Sequence, residues 1–316
     1  MATPMSTDLA NALSTAERVS VHPPRSVVAA TDGTEDSEAA VLFARSLVTR
    51  YGSVTRAFSV CEPLPVIYDW GQVAPIYVPE DIELSISNRM AAAKTQLARL
   101  LGADAKCPLV VRTGLMANEV AAYAAETKAD LIVAGRGRHK FLDRLVGEEH
   151  LSRLLRLATC PVLAIEPTLK SAPRRVVIGI DFAPHTMDVA ATAATLMAED
   201  AVVYLVHVKP DPPFGVPHPG QWLKSYDDGV RTGLERVQAQ LALPPSHVVE
   251  PIVISGHPGV ALAEFAQRAG ADMIAVGVHG AGFFNRLVIG SVPTYLLRGA
   301  PCSLLAVPVP HEAPAK

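Results

Sequence analysis

Short runs of Val, Ile, Leu and Ala recur along this chain, five before residue 166 and five after residue 174. The first five lie in Ser26-Val-Val-Ala-Ala-Thr-Asp32, Ala57-Phe-Ser-Val60, Val110-Val-Arg-Thr-Gly114, Ala129-Asp-Leu-Ile-Val-Ala134 and Cys160-Pro-Val-Leu-Ala-Ile165. Continuous apolar runs of this length suit parallel strands buried on both faces. Stretches with helical spacing separate them: Glu38 to Val48, Ser87 to Leu101, Asn118 to Glu126 and Glu149 to Leu157, then Val189 to Ala198, Asp227 to Leu241, Val260 to Arg268 and Pro293 to Leu297. Strand–helix alternation at this spacing predicts βαβ crossovers and helices on both faces of a parallel sheet. The expected fold class is α/β, with two tandem doubly wound, Rossmann-like domains, each built on a five-stranded parallel sheet.

The second half repeats the first. Ser26 to Asp32 matches Arg175-Val-Val-Ile-Gly-Ile-Asp181, Ala57 to Val60 matches Leu205-Val-His-Val208, and Val110 to Gly114 matches Ile252-Val-Ile-Ser-Gly256. Ala129 to Ala134 matches Ala271-Asp-Met-Ile-Ala-Val276, and Cys160 to Ile165 matches Cys302-Ser-Leu-Leu-Ala-Val307. Residues 1–24 lack a sustained period and read as a flexible arm. Domains are expected over 25–166 and 175–309, joined by a linker at 167–174 with Pro167 and Pro173 as breakers, and followed by a tail at 310–316. The aromatic, Pro-rich excursions 62–85 and 209–226 read equally as lids or as covers over hydrophobic surface.

With 316 residues and 49% hydrophobic content, the chain can bury two cores, and a net charge of −3 gives no basic field for nucleic acid. No apolar run approaches the length of a membrane-spanning helix, and the N-terminus has neither a basic nor an apolar signal region. A cytoplasmic location is therefore expected, with no membrane partner. The four cysteines show no CxxC or zinc spacing and read as buried small hydrophobes. The ten histidines form no ligand pair, there is no GxSxG elbow or Walker A lysine, and neither a metal site nor a catalytic group is expected.

One loop is written twice. Gly277-Val-His-Gly280 is followed by nine residues and then Gly290-Ser291, and 143 residues earlier Ala134-Gly-Arg-Gly137 is followed by nine residues and Gly147-Glu148. Glycines let backbone N–H groups approach an anion, and a helix N-terminus favours negative charge. In an open parallel sheet, ligands bind beyond the carboxyl ends of the strands where strand order reverses. Asp181 ends the first strand of the second half and could meet a ribose hydroxyl there, or could simply cap a helix.

The chain resembles tandem members of the universal stress protein family from about Arg25 to Pro308. The most specific signature is G-x2-G-x9-G-[ST], matched through Gly277, Gly280, Gly290 and Ser291. Asp32 and Asp181 after the first strands, Leu205-Val-His-Val208 and Gly256-His-Pro258 also fit. The resemblance implies an adenine-nucleotide alpha-hydrolase-like fold that binds ATP, with or without Mg2+. Asp181 would lie by ribose or adenine, the Val208 backbone by the adenine edge, and Gly277, Gly280, Gly290, Ser291 and Val292 by ribose and phosphates. In the first domain Ala134 and Glu148 depart from the signature, which implies weak or absent nucleotide binding. Asp32, Val60, Gly137 and Gly147 are its weaker candidate contacts.

The implied role is a regulatory, stress-response protein with little turnover. The alternatives are a slow ATPase or adenylyl-transfer enzyme, and a scaffold that uses no nucleotide. Single-domain relatives pair as subunits, so the resemblance implies an intrachain pseudo-dimer through strand-five edges. It also allows a homodimer and a regulatory protein partner.

Overall fold

The computed structural model describes residues 22–62, 66–67, 73–74, 79–102, 107–136, 141–183, 185–209, 219–278 and 289–308. The chain divides into two compact units, one from Pro24 to Ser171 and one from Ala172 onward.

In the first unit β1 (Ser26–Ala30) leads through a 3-10 turn at Glu35–Ser37 to α1 (Glu38–Tyr51). Then follow β2 (Val54–Cys61), α2 (Pro79–Leu101), β3 (Leu109–Thr113), α3 (Met116–Glu126), β4 (Leu131–Gly135), α4 (Phe141–Leu157) and β5 (Val162–Ile165). Between β2 and α2, Val66–Ile67 pairs with Val73–Ala74 in a short antiparallel ladder. The main sheet runs β3-β2-β1-β4-β5 with every pairing parallel.

The second unit repeats the order: β6 (Arg175–Gly179), α5 (Thr186–Leu196), β7 (Val202–Lys209), α6 (Pro219–Leu241), β8 (Val248–Ser255), α7 (Pro258–Ala269), β9 (Met273–Gly277), α8 (Ser291–Gly299) and β10 (Ser303–Val307). Its sheet runs β8-β7-β6-β9-β10, again parallel throughout. Chain order therefore reverses between β1 and β4, and between β6 and β9.

The central strands are apolar because helices cover both their faces. Val27, Val28, Val176, Val177 and Ile178 are fully buried, each worth about 1.5–3 kcal/mol of burial. A charged clip fixes the start of the central strand in each unit. Asp130 Oδ2 accepts the N–H groups of Arg25 and Ser26 at 2.8 and 2.9 Å. Asp272 Oδ2 accepts those of Arg174 and Arg175 at the same two distances.

Helices α2 and α6 begin earlier than their apolar period suggests, so the ends of both Pro-rich excursions are helical. Much of the remainder of those excursions lies outside the described residues. Helix α4 also begins early, at Phe141, eight residues before the expected Glu149. Gly147 is the weakest helix former in this stretch, and its cost of about 1 kcal/mol does not stop the helix. Among the described residues, no helix is long and apolar enough to cross a membrane.

Candidate functional site

A crevice is expected beyond the ends of β6 and β9, where the order of the second sheet reverses. Asp181 stands two residues past β6, and Gly277 is the last residue of β9. Asp181 Oδ1 accepts the Ala183 N–H at 3.0 Å and the Thr186 hydroxyl at 2.9 Å, which ties the carboxylate to the start of α5. Its Oδ2 stands 3.8 Å from His185 Nε2, and the side chain is 43% exposed. The residue thus caps the turn and still presents a carboxylate to solvent.

The glycine loop returns on itself. Val278 N–H donates to Val307 O at 2.9 Å, and Gly290 N–H donates to Val278 O at 2.9 Å. This brings the start of α8 against the end of β9. Ser291, exposed, and Val292, half-buried, are the first residues of that helix. Their N–H groups belong to the first turn, which has no intrahelical acceptors for its donors. Pro293 comes third and has no donor to lose. Thr294 closes the turn by donating its N–H and hydroxyl to Gly290 O at 3.3 and 2.9 Å. Val208 lies on β7 in register with Ile254 of β8. Gly280 and His279 lie outside the described residues.

A polar relay supports Asp181 from behind. His207, 8% exposed, has Nδ1 at 2.7 Å from Ile180 O and Nε2 at 2.9 Å from Tyr226 Oη. A carbonyl only accepts, so Nδ1 carries the proton and Nε2 accepts from the tyrosine hydroxyl. Burial depresses the His207 pKa, against the opposing pull of Ile180 O and Asp181. Burial, with Asp227 adding to it, raises that of Tyr226. Lys209 at the end of β7 bonds both oxygens of Asp227, at 3.0 and 3.1 Å, holding α6 to the same edge. Phe182 turns the chain with φ 58° and sets its ring 4.9 Å from that of His207, tilted by 39°.

The first unit differs where it should correspond. Strand hydrogen bonds align the units: Val27 pairs with Leu131 as Val176 pairs with Met273, and Ile132 with Val162 as Ile274 with Leu304. Beyond the strands, Arg136 N–H meets Ile165 O at 2.8 Å as Val278 N–H meets Val307 O at 2.9 Å. The offset is thus 142 residues, one fewer than matching glycines to glycines suggests. Gly135, not Ala134, is the counterpart of Gly277. Arg138 matches Gly280, Glu148 matches Gly290, and Glu149 matches Ser291. Gly147 and Glu148 lie inside α4 rather than at its start, and Gly137 lies outside the described residues.

The loop after β1 is also closed differently. Asp32 Oδ1 accepts the N–H and hydroxyl of Thr34 at 2.9 and 2.7 Å, and Arg89 of α2 donates to Asp32 O at 2.7 Å. Burial pushes the Asp32 pKa up, but the bonds from Thr34 and Ser37 and the Arg89 charge outweigh it and hold it below the ordinary value. Gln96, 3% exposed, donates to Thr34 O and Ser37 Oγ. The turn passes so close to β4 that a Cβ on Gly135 would stand 2.4 Å from Asp36 O. Val60 is half-buried on β2 beside Arg112 of β3. The buried ion pair of Arg136 with Glu166, 3.2 Å apart, stands where the second unit has Val278 and Pro308.

The family model described as the universal stress protein family matches residues 24–166 and again 173–308. This chain belongs to the universal stress protein family. A universal stress protein of Mycobacterium tuberculosis is 26% identical over 292 residues, covering 87% of this chain and 94% of that one. Another from Methanocaldococcus jannaschii is 28% identical over 144 residues, covering 44% of this chain and 84% of its own. Among solved structures, a universal stress protein from Archaeoglobus fulgidus aligns with a TM-score of 0.61 at 19% identity, covering 90% of this chain and 98% of that one.

Within this tandem universal stress protein, sequence reasoning singled out Asp181, Gly277, Gly290 and Ser291, and the end of β9 and the start of α8 are brought together. It missed Gly135, whose signal is the shared Phe-x-x-Arg-Leu-Val run at Phe141 and Phe283, also 142 residues apart. It also missed Tyr226 as the partner of His207. Among the described residues, no group of three or more His, Cys, Asp or Glu could hold a metal ion. Burial pushes the Cys160 thiol up to about 12, which makes it a core residue rather than a nucleophile.

Proposed function

We propose that this protein is an ATP-binding regulatory stress protein that holds nucleotide in its second unit and turns it over slowly or not at all. The observation that carries the reading is the hydrogen bond from Gly290 N–H to Val278 O, 2.9 Å, which sets the start of α8 against the end of β9. The Ser291 hydroxyl and the N–H groups of Ser291 and Val292 then receive phosphate, with the helix dipole contributing about 0.3–1 kcal/mol. Asp181 takes a ribose hydroxyl, the Val208 backbone meets the adenine edge, and Gly277 and Gly280 let the loop approach closely. This donor set of hydroxyl and backbone N–H suits an anion. Any Mg2+ would come with the triphosphate, bound mainly by its oxygens and water.

Low turnover is supported by His207, whose two nitrogens are engaged in holding Ile180 and Tyr226. In the first unit a carboxylate, Glu148, takes the register position of Gly290 and lies within α4, so this unit binds ATP weakly or not at all. Nucleotide occupancy is then a signal read by a partner protein or a second copy of the chain.

The test is the nucleotide content of protein purified without added ATP, followed by ATP titration, compared with Gly290→Glu, which copies the first unit. Wild type should bind one ATP per chain and the variant none. A folded wild type that neither carries nor binds nucleotide rejects the reading. Sustained release of ADP or AMP over many turnovers would reassign it to the enzymes.

A further inference from the structure

Away from its strand ends, the first unit contains a cavity of about 280 Å³ between the sheet and helices α1 and α2. Its floor includes Ala29 and Ala57, directly paired across β1 and β2. Val41 of α1 and Leu97 of α2 form walls, and the exposed Arg45 and Val48 of α1 stand at the mouth.

The internal repeat explains why the space exists. The paired residues equivalent to Ala29 and Ala57 are Ile178 and Leu205, both fully buried. The first unit has cut both back to methyl groups at adjacent positions on one floor. On the wall, Val41 replaces Ala190 and restores only part of the lost volume. A void forfeits the contacts of every group lining it, and the same fold fills this position in its other half.

We infer that this cavity is a binding site for a small carboxylate with a compact apolar body, a short alkyl chain or a single ring. Apolar cavities of about 150 Å³ stay dry and accept benzene, so this one has room for such a body. Charge complementarity selects the head group. The Arg45 guanidinium is held at the mouth by a 2.6 Å bond from Nη1 to Leu101 O, and a planar guanidinium matches a carboxylate. The thiol of Cys107 also lines the cavity. Among the cysteines it is the partly exposed one, Cys61, Cys160 and Cys302 being buried. It therefore reports occupancy. This site is separate from the one proposed for nucleotide.

The probe is octanoate, titrated calorimetrically into the full-length protein, with octanol as the uncharged comparison. Wild type should bind one octanoate per chain. Ala29→Ile and Ala57→Leu, which copy the second unit, should weaken binding at least tenfold. Arg45→Gln should weaken octanoate while leaving octanol unchanged. Octanoate should also slow modification of Cys107 by a small neutral thiosulfonate in wild type. No saturable binding, or undiminished affinity in a folded filling variant, overturns the inference. If neither filling variant folds, the wild-type labelling decides: slowed modification supports the site and an unchanged rate refutes it.

Discussion

The ring of Phe182 lies against the bare backbone of Gly233, where an added Cβ would stand 2.7 Å from the ring's Cε1. In the first unit the sizes are exchanged. Gly33, at φ 80°, takes the place of Phe182, and a Cβ on it would stand 2.8 Å from Ala92 of α2. Each unit seats its first-strand turn on the long helix, but with bulk and gap on opposite partners. Gly233→Ala should therefore lose in overpacking, about 1–3 kcal/mol, more than the roughly 1 kcal/mol it gains in helix propensity. Gly229→Ala in the same helix meets nothing within 4 Å and should stabilise by up to about 1 kcal/mol. Urea unfolding of the two variants should give opposite signs; equal gains would reject the contact.

His207 makes stability depend on pH in a stated direction. Its folded pKa is depressed, so below about pH 6.5 the unfolded chain takes a proton that the folded residue refuses. Stability falls as pH drops from about 6.5 towards the folded pKa, by up to about 1.4 kcal/mol per pH unit, and is flat above. Denaturation series between about pH 8 and pH 5 should show that slope in wild type and lose it in His207→Gln. An unchanged slope in the variant would assign the titration elsewhere.

Gly135 has no room for a side chain, because Asp36 O lies 2.4 Å from its Cβ position. Gly135→Ala must move the turn before α1 or the end of β4, at a cost of about 1–3 kcal/mol. Limited proteolysis should find the first unit opened sooner while peptides from the second retain their protection. Equal protection of both units in variant and wild type would count against this packing.

Ser291 is exposed, so Ser291→Ala should leave thermal stability almost unchanged. If its hydroxyl bonds a phosphate, the loss is about 0.5–1.5 kcal/mol, roughly two- to tenfold in Kd for ATP. Titration calorimetry checks this, and an unaltered Kd would remove Ser291 from the contact set.

The strands were legible because burial on both faces writes them as uninterrupted apolar runs, as at Val27-Val28 and Ile274-Ala275. Helix starts were less so. Phe141 to Val146 precede Gly147, and a glycine reads as a boundary even where its neighbours carry the helix through. The site divided along the same line. Asp181 and the Gly290-Ser291 turn are local patterns, visible in a few adjacent letters. The true pairing of the two loops was hidden by coincident glycines, and the backbone bonds of Arg136 and Val278 were needed to set it. The partnership of His207 with Tyr226 spans 19 residues and two elements, which leaves no local trace.

The Asp130 and Asp272 clips have a consequence for the order in which the protein is made. Each joins the start of a central strand to residues 97–105 positions further along. During synthesis the first strand of a unit leaves the ribosome early, and its β2-side neighbour soon follows. Its other edge waits until most of the unit has been translated. For that interval a strand whose middle residues are fully buried in the finished unit has one open side, the condition under which nascent chains recruit chaperones or pair wrongly. The chain passes through this vulnerable stage twice, and the second time a finished copy of the same architecture is already in place upstream.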